Sequence, residues 1–226
     1  MRRGQYLWVA VVVACIAVGG FARTYYLGFW FHAPGLTPLV HVHGAVMTLW
    51  CLGFMVQTYL VAAGRVRLHQ QFGIWMTVLA GIVVVLGEWL TIAAVVREGK
   101  AHTVGKFHFL LGINSVNLLL FVGLIVLGFW YRQQPDWHKR FMALAALTLL
   151  APAIARIVLL FSHKPLYQFL AFYGCFLLCV AIDTIRNRRL HPVFAIGTLA
   201  IITAFQGSFY LVQTSAWMKM VQGIFG

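Results

Sequence analysis

The chain has 226 residues, 62% of them hydrophobic and only 9% charged. Soluble domains carry about 25% charged residues, so a water-exposed globular surface is excluded, and the length holds short-looped spans of about 20 apolar residues each with no separate soluble domain. The formal charge of +13 reads as topology, because Lys and Arg concentrate in cytoplasmic loops, and it calls for no nucleic acid.

Seven apolar stretches follow in chain order, over residues 6–26, 40–62, 71–96, 105–131, 141–161, 166–184 and 193–213. The expected fold is all-α, a single seven-span transmembrane bundle over residues 1–226. No small-x-small cleavage site follows the first stretch, so it reads as a retained helix rather than a signal peptide. Pro34, Pro38, Pro135, Pro165 and Pro192 stand in or beside the turns, as helix boundaries require. Pro152 alone lies inside a stretch, where it is predicted to kink the fifth span and free a backbone carbonyl. An inside N-terminus puts ten basic residues on the cytoplasmic side: Arg2, Arg3, Arg65, Arg67, Arg132, Lys139, Arg140, Arg186, Arg188 and Arg189. Six stand outside: Arg23, Arg97, Lys100, Lys106, Lys164 and Lys219. The expectation is a multi-pass protein of a bacterial inner membrane, N-terminus inside and C-terminus outside, with lipids as its partners. The aromatic-basic tail around Trp217 is expected along the outer interface. Cys15, Cys51, Cys175 and Cys179 fall within apolar runs and read as small buried hydrophobes, not as a disulfide framework.

Charged groups within spans are costly unless paired or solvated. Glu88 and Arg156 lie on two ascending spans at similar outer depth, where an ion pair between them or a snorkelling arginine is expected. Asn114 and Asn117 share a face of the fourth span by their i,i+3 spacing. With Gln57, His43 and His108, these residues are expected to line a polar pocket in the outer half of the bundle; the alternative is plain interhelical hydrogen bonding. Asp183 reads as an interfacial group paired with Arg186 and Asn187.

The nine histidines are the most informative feature. His43 and His108 open the second and fourth spans at a common outer depth; His69 and His138 open the third and fifth at a common inner depth. Two imidazoles at one depth on different helices are what a b-type haem requires, so all four are candidate haem ligands. His41, His43, His108 and Glu88, with His102 or His163 from the loops, are the candidate ligands of a transition metal. The bland alternative has the inner pair capping helix starts, binding Asp136 or anchoring to anionic headgroups with Arg67, Lys139 and Arg140.

The helix assignment of these four histidines resembles that of the cytochrome b561 superfamily, and the resemblance implies a di-haem electron-transfer protein. Over residues 40–160 the chain also looks like an uncharacterised family of bacterial seven-span membrane proteins. That likeness rests on the HVHG opening of the second span, on RLHQQFG where relatives read LHRRLG, and on HKRFM where they read HKRLM. An acidic residue often stands in that family where this chain has Asn117. The resemblance implies a seven-span fold and no particular activity. No nucleophile triad, HExxH, P-loop or dinucleotide motif is present in the sequence. A subunit or assembly factor of a larger complex, packed beside other integral membrane proteins, completes the expectations.

Overall fold

The computed structural model describes residue 4, residues 6–100 and residues 106–225. Arg2, Arg3 and His102 lie outside them. The described chain is all-α, with helices α1 (Leu7–Phe21), α2 (Pro38–Ala62), α3 (Val66–Lys100), α4 (Lys106–Trp130), α5 (Pro135–Thr148), α6 (Ala151–Leu159), α7 (Pro165–Asn187), α8 (Pro192–Leu211) and α9 (Ser215–Phe225). A π-helical turn, Ala22–Tyr26, finishes α1.

Proline starts much of this structure. Pro38, Pro135, Pro165 and Pro192 occupy the first turn of α2, α5, α7 and α8, where the missing N–H has no helical partner to lose and the fixed φ suits the helix. Gly64, at φ +75, closes the tight turn from α2 to α3 in a conformation that costs glycine little.

Among the described residues, six helices are long and apolar enough to cross a membrane, and a seventh crossing is counted if α5 and α6 form one bent span. The expected fifth span is therefore two helices, inclined at 44°. Pro152 explains the break. It has no N–H to give to the carbonyl four residues back, that of Thr148, and the helix parts at Leu149 and Leu150. The freed oxygen is not left alone: Asn117 Nδ2 on α4 donates to it at 3.0 Å. The segment 135–140, expected as an inner loop, is instead the first turn and a half of α5.

The core gathers around α5, whose residues Ala143 to Thr148 are all buried. Trp50 and Phe54 of α2, Phe121 of α4, Phe172 and Phe176 of α7 and Phe194 and Phe205 of α8 join it in one apolar cluster. Small residues set the closest approaches. A Cβ on Gly20 would lie 2.5 Å from the carbonyl oxygen of Ala153, so α1 meets α6 backbone to backbone. Outside the core, large apolar side chains such as Leu119, Trp75 and Ile196 are exposed, as lipid-facing surfaces are. Helix α9 turns back over the ends of α3 and α4, where Val221 packs with Val95 and Leu111.

Candidate functional site

Polar side chains collect at two levels of the bundle. The near end holds the start of α1, α3, α5 and α8; the far end holds the start of α2 and α4.

At the far end, the expected polar pocket is not formed. Glu88 accepts from Ser115 Oγ at 2.7 Å, and Asn114 Nδ2 donates to Thr91 Oγ1 at 2.7 Å, so the two contacts stitch α3 to α4 along one seam. Arg156 does not reach Glu88. It lies exposed on α6, donates to the Pro152 carbonyl at 3.0 Å and sits 4.4 Å over the Phe21 ring. Asn114 and Asn117, expected side by side, serve different neighbours, α3 and α5. His43 packs against α3 at Gly87. His108 is buried, and its carbonyl accepts from Trp217 Nε1 at 3.3 Å. His41 and His163 are exposed. A hollow at this end is lined by Gly28, Phe29, Trp30, His32 and Ala33, none of them a residue of the expected pocket. The interhelical hydrogen-bond alternative describes this level.

Gln57 belongs to the other half. It stands 14 residues beyond His43 on one helix, about 21 Å along the axis, and is buried beside His69 on α3. Its carboxamide lies astride a helical i,i+4 pair of backbone groups. Turned so that both backbone groups are satisfied, its oxygen accepts from the Gly73 N–H at 2.8 Å, and its nitrogen donates to the His69 carbonyl at 3.1 Å and to His69 Nδ1. Across from it, His138 of α5 meets His69 edge to face, with ring centroids 6.0 Å apart. His138 Nδ1 bonds to the Gly128 carbonyl of α4 at 2.8 Å. Four helices, α2 to α5, thus supply one group each to a compact imidazole pair. Neither histidine binds Asp136, which is taken by Lys139 at 2.7 Å.

A second near-end cluster ties α1, α5 and α7 together. Arg140, 1% exposed, donates through Nε and Nη2 to Asp183 Oδ2, both at 2.8 Å, and through Nη1 to the Asp136 carbonyl at 2.7 Å. Asp183 Oδ1 accepts from Tyr6 at 2.7 Å and from Asn187 at 2.8 Å. Burial and the Asp183 carboxylate push the Tyr6 phenol well above its ordinary range, so it stays a hydrogen-bond donor. His191, buried at the N-cap of α8, accepts from the Val193 N–H at 3.3 Å. Burial, and after it the Arg140 guanidinium, hold the His191 ring below its ordinary pKa.

The expectation of haem or a transition metal is corrected by this geometry. Among the described residues, no three His, Cys, Asp or Glu side chains converge where a metal ion could be held. Of the four candidate haem histidines, His69 and His138 pack directly on each other, ring centroids 6.0 Å apart, while His43 packs on α3 at Gly87 and His108 lies by Trp217. The di-haem function falls with the cofactor.

Sequence reasoning placed Arg140 in an exposed basic turn and so missed the buried pair with Asp183. Acid scarcity was the available signal: the chain has only four Asp and Glu residues, and one buried near the depth of a basic turn needs a cation. The chain matches no protein-family model, no curated protein and no solved structure.

Proposed function

We propose that this chain is a seven-span protein of the bacterial cytoplasmic membrane, N-terminus inside and C-terminus outside, that binds protons reversibly at its cytoplasmic end on the His69–His138 pair. The two basic-histidine turns that carry the family resemblance each supply one ring of this pair, and the meeting of those rings 6.0 Å apart is the observation that carries the reading. Two adjacent half-buried imidazoles form a site for one added proton, because a second would set two cations side by side at low dielectric. Histidine is the side chain whose ordinary pKa puts such uptake near physiological pH. The bent α5–α6 pair counts as the fifth span, and the basic belt at this end faces anionic headgroups.

The test is histidine-ring 15N NMR of the full chain in lipid nanodiscs, titrated over about pH 5 to 8. Signals are assigned by their loss in His69→Gln and His138→Gln. The expected result is one proton taken up by the pair, with both rings' signals moving together. Two rings that keep fixed protonation across the range would overturn the reading.

A further inference from the structure

We propose that Gln57 is a positioning residue which gives the histidine pair a fixed polarity, His69 the ring that keeps its proton on Nε2 and His138 the open base. The inference rests on the proton-binding reading of the same site and adds the order in which its nitrogens act.

Two backbone groups decide it. A peptide N–H only donates and a peptide carbonyl only accepts. The Gln57 carboxamide lies between the Gly73 N–H and the His69 carbonyl, so one orientation satisfies both: oxygen toward Gly73, nitrogen toward His69. That orientation also aims the amide N–H at His69 Nδ1, which must therefore hold a lone pair. A neutral imidazole with a bare Nδ1 carries its proton on Nε2. The opposite holds for His138. Its Nδ1 bonds to the Gly128 carbonyl, an acceptor, so Nδ1 carries the proton and Nε2 is bare.

The pair thus has one Nε2–H, on His69, and one free Nε2 lone pair, on His138. The lone pair of His69 is occupied by Gln57, which leaves His138 Nε2 as the place where an incoming proton bonds. The groups facing the two rings are Gln57 from α2 and Gly128 from α4, both uncharged. The charged groups of the neighbouring cluster are paired among themselves, Asp136 with Lys139 and Arg140 with Asp183. Turning Gln57 over would oppose its oxygen to the His69 carbonyl and its nitrogen to the Gly73 N–H, so the helix backbone itself holds the His69 tautomer in place.

The same nanodisc samples test this, read at the alkaline end of the titration, where both rings are neutral. Coupling of each ring nitrogen to the ring carbon-bound hydrogens reports which nitrogen bears the proton. The wild type is expected to show His69 as the Nε2–H tautomer and His138 as the Nδ1–H tautomer, each favoured about tenfold by its hydrogen bond. In Gln57→Leu the His69 ring becomes a mixture of tautomers while His138 keeps its own. In Gln57→Glu, whose carboxylate only accepts, His69 moves to Nδ1–H. A wild-type His69 on Nδ1–H, or a His69 ring unmoved in both variants, overturns the inference. The wild-type spectrum alone decides the polarity if a variant does not fold. The two readings fail separately: rings that hold these tautomers but take up no proton defeat proton binding, and rings that titrate with other tautomers defeat the role of Gln57.

Discussion

Asn117 replaces one backbone hydrogen bond with a side chain. Pro152 withholds the N–H that Thr148 would use, and the carbonyl lies in a buried stretch where an unmet acceptor costs about 1–3 kcal/mol. Asn117→Leu keeps the volume roughly constant and removes the donor, so unfolding in mild detergent should require less denaturant by a loss of that size. His191 makes a different prediction. Its ring is held below its ordinary pKa, so the unfolded chain takes up the proton first as pH falls. Its contribution to stability is therefore present above about pH 6.5 and lost as pH drops below that value. Thermal unfolding should show a shallower acid slope in His191→Asn, which keeps an N-cap acceptor and does not titrate. A slope identical to that of the wild type would remove His191 from the account.

Elements are fastened here by polar contacts whose partners lie on other helices. Arg140 and Asp183 join α5 to α7 with neither group open to water. Taking away one member leaves a buried charge, at a cost of about 3–5 kcal/mol, whereas replacing both by apolar residues of similar volume is often close to neutral. Arg140→Met is expected to lose stability on that scale, and Arg140→Met with Asp183→Leu to recover most of it. A double variant as unstable as the sum of its singles would show that the two do not act as a pair. The sequence made the helices legible, since apolar run length, proline positions and turn composition are local properties. The break in the fifth span was legible for the same reason, because Pro152 acts on its own helix. The partner of the freed carbonyl was not: Asn117 lies 31 residues away, and no periodicity says which neighbour a side chain faces. Gln57 was misplaced although helix rise alone separates it from His43 by about 21 Å. The depth pairing of His69 with His138 was readable, and the chemistry that the depth was taken to imply was not.

At the scale of the whole molecule, the expected orientation can be checked without reference to either histidine. Reporter fusions after Arg132 and after Arg189 should be active only as cytoplasmic reporters, and a fusion at the C-terminus only as an exported one. A cytoplasmic C-terminus would mean an even number of crossings and would make α5 and α6 a re-entrant element. The outer pocket read from the sequence dissolved because Glu88, Asn114 and Asn117 bond across to neighbouring helices, Arg156 turns back to its own helix and Gln57 lies at the other end, none of which composition and depth specify. The contact between Tyr6 and Asp183 spans 177 residues, and this distance has a meaning in time. At a synthesis rate of about 5–20 residues per second, the opening helix waits about 10–35 s for the carboxylate that fastens it. Over the last 43 residues of that wait, about 2–9 s at that rate, Arg140 has been made and Asp183 has not. A nascent chain arrested before α7 therefore holds Arg140 with only the Asp136 contacts of its own helix, and the buried pair that joins α5 to α7 closes late in synthesis.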